Sequence, residues 1–250
     1  MSLLQFHWYG LVVGIAIVCG VLVTERLTKK WFSEKVFYQL SFLVLLSGMV
    51  GARFWHVVTD FHLYQDNIWQ VFFVWQGGLS ILGAIIGGMI GFYFSAKKLT
   101  INKKIFLDGV AFGLPIAQFI GRWANFLNQE LYGLPTEFSW GIYIEPENRP
   151  VAFLDNDYFH PLFLYEGLLV LVGWLVLFFL KKRRFFEFGK GDFFVFYLVY
   201  YGLIRFLLDF LRVERSFVWL GLGINQWFVF LVGFLVVVCW IMNQCKKTKS

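Results

Sequence analysis

Charged and amide side chains recur at helical spacing inside two apolar stretches of the sequence. The first stretch carries them at separations of four, three and four residues, with an acid directly after: Gln118, Arg122, Asn125, Gln129 and Glu130. Side chains at this spacing lie on one face of an α-helix. A guanidinium beside carboxamides offers paired donors to the oxygens of a phosphate. The pattern therefore predicts a site for an anion.

The second stretch repeats this helical spacing with four residues: Tyr201, Arg205, Asp209 and Arg212. Arg205 and Asp209 could pair within the helix, which would explain both charges without any ligand. Arg212 and Arg122 would still lack an intrahelical acid, and Arg53 adds a guanidinium in an earlier stretch. Several arginines with few acids favour an anion site, and a phospholipid head group is the phosphate available at that depth.

Two other features allow both a structural and a functional interpretation. Gly77 and Gly78 lie at the beginning of an apolar stretch and could bring backbone N–H groups to a ligand. Close helix packing explains the glycines that follow at every fourth position: Gly83, Gly87 and Gly91. Tyr9 could carry protons, or it could belong to the aromatic belt at a membrane interface.

The composition indicates the environment that holds these residues. Hydrophobic residues make up 59% of the 250 residues, charged residues make up 15%, and the mean hydropathy is +0.66. A soluble domain carries roughly 25% charged residues, so this chain has too little polar surface for a water-soluble protein. We therefore expect an integral membrane protein. A cytosolic enzyme, a disordered chain and a disulfide-stapled secreted domain are excluded.

Seven apolar stretches are long enough to cross a bilayer as helices. They cover roughly residues 8–24, 36–58, 78–96, 106–127, 161–180, 193–212 and 221–242. Basic loops follow the first, third, fifth and seventh stretches, and acidic loops follow the second and fourth. Because positive charge marks the cytoplasmic side, the N-terminus is predicted outside and the C-terminus in the cytoplasm. The expected fold is an all-α integral membrane protein with seven transmembrane helices.

One connection is too long to be a simple turn. Residues 128–160 contain several prolines and turn glycines, and we expect them to form a small external subdomain of a single membrane domain that covers residues 1–250. The net charge of +6 comes mainly from the basic loops, which would face anionic lipid. No nucleic-acid partner is expected, because such a surface would form one contiguous basic patch.

The segment 121–133 carries the most specific motif of the chain. It reads G-R-W-A-N-F-L-N-Q-E-L-Y-G and resembles the signature G-R-x-x-N-F-x-N-x-E-x-x-G of the prolipoprotein diacylglyceryl transferase family. Shorter matches support the resemblance: His7-Trp8-Tyr9-Gly10, Gly51-Ala52-Arg53, Trp75-Gln76-Gly77-Gly78, Asp108-Gly109, His160-Pro161 with Tyr165-Glu166, and Tyr201-Gly202-Leu203-Ile204-Arg205-Phe206. The resemblance covers nearly the whole chain.

The resemblance implies a multi-pass enzyme of the bacterial plasma (inner) membrane. It would transfer the diacylglyceryl group of phosphatidylglycerol to a cysteine thiol, forming a thioether and releasing glycerol phosphate. That cysteine lies in the lipobox of a prolipoprotein that still carries its signal peptide. The active site would face the outer leaflet of the lipid bilayer. No metal and no organic cofactor are expected.

By position, the resemblance places the family's essential residues at Tyr9, Arg122, Asn125, Glu130, Gly133, Tyr201 and Arg205. Together with the charged residues and glycines considered above, these give the predicted site. The catalytic residues are predicted to be Arg122, Arg205, Glu130, Asp209 and Tyr9. The substrate-binding residues are predicted to be Asn125, Gly133, Tyr201, Arg53, Arg212, Gly77 and Gly78. In this hypothesis Arg122 and Arg205 hold the phosphate. Glu130 is the first candidate to accept the thiol proton, followed by Asp209 and Tyr9.

Two positions depart from the family pattern. This chain has Leu82 at the position of the histidine in the family motif G-G-x-S-x-H-G. It also has Asp209 at a position where the family usually has a glutamate. Leucine cannot carry a proton. Either that histidine is dispensable, or another group takes the thiol proton, or the protein is a non-catalytic phospholipid-binding relative of the family.

Overall fold

The computed structural model describes residues 8–213 and 218–247. Within that part the chain forms seven α-helices: α1 (Trp8–Thr28), α2 (Glu34–Thr59), α3 (Ile81–Lys98), α4 (Lys103–Leu127), α5 (Leu162–Lys182), α6 (Asp192–Leu208) and α7 (Ile224–Lys247). Two antiparallel pairs of two-residue strands accompany them: β1 (Ile142–Tyr143) with β2 (Tyr158–Phe159), and β3 (Val218–Trp219) with β4 (Leu222–Gly223). The predicted all-helical class is confirmed.

Six of the seven described helices are long and apolar enough to cross a membrane. The exception is α3, which has 18 residues and ends in Lys97 and Lys98. It begins at Ile81 and not at 78, because Gly78 has a left-handed φ of +70° that an α-helix does not use. The seven-span count and the orientation in the membrane remain predictions.

The chain divides into two compact units. Unit 1 consists of residues 1–26 together with 104–250, and unit 2 consists of residues 27–103. The predicted arginine-containing helices α4 and α6 both belong to unit 1, whereas α2 and α3 form the body of unit 2.

In unit 2, glycines allow α2 and α3 to touch through their backbones. A Cβ atom added to Gly51 would lie 2.8 Å from the Cα of Gly87 and would collide with the carbonyl oxygen of Gly83. A Cβ on Gly91 would collide with the side chain of Ser47. The packing interpretation of the glycines at every fourth position is therefore confirmed.

In unit 1, a buried carboxylate on α4 holds the beginning of α6. Asp108 is fully buried, and its Oδ2 accepts hydrogen bonds from the backbone N–H groups of Gly189 at 2.7 Å and Gly191 at 3.0 Å. Its Oδ1 accepts from the N–H of Phe194 at 3.2 Å. Gly191 is the N-cap residue of α6 and Phe194 lies in its first turn, where an N–H has no intrahelical acceptor, so Asp108 acts as a cap supplied by another helix.

The connection between α4 and α5 is ordered by an internal arginine. The guanidinium of Arg149 donates to the carbonyl oxygens of Ile144 at 2.7 Å and Leu154 at 3.0 Å, and it pairs with Asp157 at 2.8 Å. The β1–β2 pair closes the same segment. The segment therefore has its own polar interior, and its predicted external location stays a prediction.

Replacement of Gly51 by alanine tests the α2–α3 contact. We expect Gly51→Ala to lower the stability of the detergent-purified protein by about 1–3 kcal/mol, since the added methyl group overpacks the backbone contact. Gly14→Ala is the matched control, because a Cβ at Gly14 meets nothing within 4 Å. The measurement is thermal unfolding of both variants, and equal melting temperatures would contradict the close packing.

Candidate active site

A single buried carboxylate in unit 1 is shared by two arginines. Glu166 on α5 is 1% exposed, and its Oε1 accepts a hydrogen bond from Nη2 of Arg122 on α4 at 2.5 Å. Its Oε2 accepts from Nη1 of Arg205 on α6 at 3.0 Å. Three helices thus meet at one ion cluster. Two guanidinium groups and one carboxylate leave one positive charge in excess.

Tyrosines of α6 add a second layer to this cluster. The hydroxyl of Tyr201 donates to Oε1 of Glu166 at 2.9 Å, and Nη2 of Arg122 lies 3.4 Å from the same hydroxyl. The ring of Tyr201 stacks in parallel on that of Tyr197, whose hydroxyl donates to Oε1 of Gln118 at 2.9 Å. Gln118 and Arg122 therefore both reach tyrosines of α6, as expected for residues one turn apart.

The polar contacts continue from the ion cluster to the end of α4. Nη1 of Arg122 donates to Oδ1 of Asn125 at 3.1 Å, and Nδ2 of Asn125 donates to Oε2 of Glu130 at 3.4 Å. Glu130 Oε1 also accepts from Nδ2 of Asn128 at 3.2 Å. An unbroken chain of side-chain hydrogen bonds therefore runs from Arg205 through Glu166, Arg122 and Asn125 to Glu130.

One donor of the cluster has no partner. The Nε of Arg122 is buried and makes no hydrogen bond to any residue that the structure describes. Burying an N–H without an acceptor costs about 1–3 kcal/mol. A donor of this kind, on a cation with excess positive charge nearby, is suited to an anionic oxygen of a ligand.

The predicted alternative of an Arg205–Asp209 pair is wrong. Arg205 pairs with Glu166 instead, and Asp209 lies 3.8 Å from Arg212. The reason is that α6 ends at Leu208 and Asp209 begins a short 3₁₀ turn, so the helical spacing does not continue. Asp209 is buried, and its Oδ2 has no hydrogen-bond partner within the described residues. Arg122 has no acid partner within its own helix, as predicted, and its carboxylate partner comes from α5.

Gly133 joins the turn after α4 to two other segments. Its N–H donates to the carbonyl oxygen of His160 at 2.8 Å, and it forms an isolated β-bridge with Arg212. A Cβ at this position would lie 2.7 Å from the carbonyl oxygen of Leu211 and would collide with Leu162. Only glycine fits here, so its structural role is clear, and its predicted contact with substrate stays a prediction.

In unit 2, Arg53 is held by backbone carbonyl groups. Its guanidinium donates to four of them at 2.5–2.9 Å: those of Gln70, Val71, Gly77 and Gly78. Gly77 and Gly78 have φ values of +92° and +70°, which lets their carbonyl groups turn towards Arg53. The N–H of Gly77 donates to the carbonyl oxygen of Val74 at 3.3 Å. Substrate binding by Arg53, Gly77 and Gly78 remains a prediction.

The remaining predicted positions lie at helix starts. Tyr9 is in the first turn of α1 and is half-exposed, and its role in proton transfer remains a prediction. Leu82 is in the first turn of α3 and is also half-exposed. His7 lies outside the described residues.

Glu166 was absent from the residues predicted for the site. The signal that identifies it is a lone carboxylate in α5, a 21-residue helix with no other charged residue before its last two lysines. An acid inside a membrane-length helix is costly and usually has a partner. Its short motif Tyr165-Glu166 was only one of several matches in the sequence.

Membrane-length helices that carry a buried arginine–carboxylate cluster with excess positive charge define a polytopic membrane protein with a candidate anion site. Comparison with known proteins makes this class more specific. The family model described as prolipoprotein diacylglyceryl transferase matches residues 1–242. The chain therefore belongs to the prolipoprotein diacylglyceryl transferase family, which is a family of transferases.

Three relatives illustrate the similarity. A phosphatidylglycerol–prolipoprotein diacylglyceryl transferase of Streptococcus suis (strain 05ZYH33) is 35% identical over 248 residues, which cover 99% of this chain and 90% of the relative. One from Prochlorococcus marinus (strain MIT 9215) is 32% identical over 231 residues, with 86% and 78% covered. The transferase numbered 2 of Streptomyces coelicolor is 35% identical over 239 residues, with 92% and 74% covered.

Neutralising Glu166 tests the ion cluster. We expect Glu166→Gln to destabilise the protein by about 3–5 kcal/mol, since it leaves two partly buried guanidinium groups without their counter-ion. Glu187→Gln is the matched control, because Glu187 is 75% exposed in its pair with Lys190 and contributes little. Thermal unfolding in detergent measures the stability of both variants. A Glu166→Gln variant as stable as the control would contradict the role of Glu166 as the shared counter-ion of the two arginines.

Proposed function

We propose that this protein transfers the diacylglyceryl group of phosphatidylglycerol to the lipobox cysteine of prolipoproteins. The names of its relatives supply the two substrates. The observation that carries the proposal is the pair of arginines, Arg122 and Arg205, held by Glu166 with one positive charge in excess.

The reaction requires stabilisation of the negative charge that develops on the phosphate. A bond forms between the cysteine sulfur and the terminal glycerol carbon of the diacylglyceryl group, and the bond from that carbon to the phosphate oxygen breaks. The electron pair of the broken bond leaves with the phosphate as glycerol phosphate, and the thiol proton passes to an acceptor. Negative charge therefore grows on the phosphate oxygens in the transition state, where fixed cationic donors are most effective.

Arg122 and Arg205 are the fixed donors in this mechanism. Glu166 occupies Nη2 of Arg122 and Nη1 of Arg205, so both guanidinium groups are oriented before any substrate binds. The buried Nε of Arg122 is then available to a phosphate oxygen. Asn125, which holds Nη1 of Arg122, orients the remaining head-group oxygens. Binding both lipophilic substrates at one site adds acceleration through proximity.

Glu130 is the first candidate to accept the thiol proton. Its carboxylate is bound by the amide groups of Asn125 and Asn128, and Asn125 connects it to Arg122. Asp209, which has a buried oxygen without a partner in the described chain, comes next, and Tyr9 follows. A free cysteine has a pKa of about 8.5, and a nearby guanidinium lowers it, so a strong base is unnecessary.

The membrane arrangement is part of the same proposal. Seven helices span the bacterial plasma membrane with the N-terminus outside, and the site opens towards the outer leaflet with residues 128–160 outside. The substrate-binding set is completed by Gly133, Tyr201, Arg212, Arg53, Gly77 and Gly78. The lysine and arginine distribution among the loops supports this orientation.

A second candidate function is binding of phospholipid without catalysis. The observation that favours it is Leu82, the residue at the position of the family histidine, which lies half-exposed on α3 and carries no proton. The two functions differ in a simple assay. An enzyme consumes phosphatidylglycerol only when a lipobox cysteine is present, whereas a binding protein leaves both molecules unchanged.

Removal of the Arg122 side chain tests whether Arg122 and Arg205 hold the phosphate. We expect Arg122→Ala to reduce transfer to a lipobox peptide by at least about 100-fold, the usual loss for one transition-state donor. The protein should still fold, because Arg205 continues to pair with Glu166. Arg183→Ala is the control, since the Arg183 side chain lies at the end of α5 against the ring of Phe179. Normal turnover by Arg122→Ala would refute the proposed binding of the phosphate by Arg122.

Restoring the family histidine tests how the thiol loses its proton. We expect Leu82→His to transfer at the rate of the unaltered protein, since the guanidinium groups already favour the thiolate. Leu79→His, at another half-exposed leucine before α3, controls for an added imidazole. A general base contributes about 10²–10⁴-fold, so a gain of that order with a steeper pH dependence in Leu82→His alone would show that a proton acceptor is limiting.

A further inference from the structure

The connection between α5 and α6 carries a concentration of basic and aromatic residues. Residues 181–191 hold five basic side chains, three phenylalanines and one acid, Glu187. Both helices are long and apolar enough to cross a membrane, so we expect the residues that join them at one of its surfaces. This expectation holds for either orientation of the chain. Such a composition at a membrane surface favours contact with lipid head groups.

Contacts inside unit 1 hold this connection in one conformation. Asp108 on α4 accepts backbone N–H groups from the residues on both sides of Lys190. The Nζ of Lys181 lies 5.5 Å from the ring centroid of Phe112 and 5.3 Å from that of Phe188, which is within the range of a cation–π interaction. A connection fixed in this way presents its outward side chains in a defined arrangement, which lowers the entropy lost on binding.

Phe185 is the phenylalanine of the connection that lies away from the core. The rings of Phe186 and Phe188 pack against the buried ring of Phe193, at centroid distances of 5.6 Å and 5.9 Å. Phe185 meets the edge of Phe186, and 72% of it stays exposed. An exposed aromatic ring among basic residues, at the end of a membrane-length helix, is typical of a segment that inserts into the lipid interface.

Arg184 occupies a position where helices usually have glycine. Its N–H donates to the carbonyl oxygen of Lys181 at 3.1 Å, and the N–H of Phe185 donates to that of Leu180 at 3.0 Å. These two bonds form the Schellman motif, in which Arg184 has a left-handed φ of +54°. Glycine adopts this conformation without strain, whereas arginine does not. The turn therefore keeps a strained and exposed cation where a neutral glycine would fit better.

Exposed cations lie on both sides of Phe185 in the chain. Lys182 and Arg184 precede it, and both are exposed. Lys190 follows it and pairs with Glu187 at 3.6 Å, but both side chains are largely exposed, so the pair is weak. A rigid turn thus offers several guanidinium and ammonium groups beside one apolar ring. The charge complements anionic head groups, and the ring complements the acyl chains beneath them.

We propose that residues 182–190 form a binding surface for anionic phospholipid where α5 ends and α6 begins. Lys182 and Arg184 bind the phosphate groups, and Phe185 inserts at the boundary between head groups and acyl chains. Lys182 lies sixteen residues after Glu166 on α5, which is about 24 Å along the helix axis. The surface is therefore separate from the ion cluster. The lipid binds there as a structural partner and is not converted.

Replacement of Arg184 by glycine removes the charge and relieves the strain together. We expect the apparent dissociation constant for phosphatidylserine to rise about fivefold, the loss for one basic residue at a membrane surface. It is measured from the rise in melting temperature as the lipid is added to full-length protein in detergent. Thr100→Gly is the matched control, since Thr100 has a φ of +52° in the same motif after α3 and carries no charge.

Without lipid, both glycine variants should melt no lower than the unaltered protein, because each loses a strained residue. Weaker lipid binding by Arg184→Gly therefore does not reflect loss of the fold. Unchanged affinity in Arg184→Gly, or an equal loss in Thr100→Gly, would overturn the assignment.

Replacement of Phe185 by serine tests the apolar part of the surface. Phe185→Ser keeps every charge, so general attraction between basic residues and anionic lipid is unaltered. We expect at least about fivefold weaker binding of phosphatidylserine, because the ring no longer inserts. Val151→Ser, at another exposed apolar residue outside the helices, should bind the lipid as the unaltered protein does. Equal affinities of Phe185→Ser and Val151→Ser would contradict the insertion.

Two further comparisons identify the partner and the place of binding. Phosphatidylserine should stabilise the unaltered protein more than neutral phosphatidylcholine does. Equal stabilisation by the two lipids would overturn the proposal and would favour an acidic protein as the partner of these cations. The preference for phosphatidylserine should persist in Arg122→Ala. Its loss in that variant would assign the lipid to the ion cluster and overturn the proposed surface.

Discussion

The buried carboxylate of Glu166 between two guanidinium groups is the interaction on which the rest of the site depends. Two arginines on separate helices would repel each other strongly in an environment of low dielectric. With Glu166 between them they come together, and one positive charge remains for an anion. A buried ion pair is weak support for stability, because desolvation offsets the attraction. Its value here is orientation, since both guanidinium groups are fixed before a phosphate arrives.

The surrounding structure of unit 1 serves to hold these three helices in register. Asp108 ties the start of α6 to α4 at one end of the helices. Nearer the other end, Gly133 brings the turn after α4 against residues 160 and 212, at positions where a side chain would not fit. The same turn carries Glu130, whose carboxylate is bound by Asn125 and Asn128. The contacts of Gly133 therefore also position Glu130, the residue proposed to accept the thiol proton.

Much of the fold follows from the sequence, but the pairing of charges does not. Apolar length and helical spacing predict α4 and the common direction of Gln118 and Arg122, because these features are local. Helical spacing also predicts Asp209 as a possible partner of Arg205. The actual partner is Glu166, which is 39 residues away on α5. The carbonyl groups around Arg53 could not be predicted either, since every residue has a backbone carbonyl and the sequence does not mark those that turn towards a guanidinium.

A structure of the protein with bound phosphatidylglycerol tests the central claim most directly, because it locates the phosphorus atom. The account predicts a phosphate oxygen within hydrogen-bond distance of the Nε of Arg122 and close to Arg205. It also predicts that Glu166 keeps both of its arginine contacts in the complex. A phosphate that displaces Glu166 from either arginine, or that binds away from the cluster with the Nε of Arg122 still unpartnered, would contradict a preformed anion site.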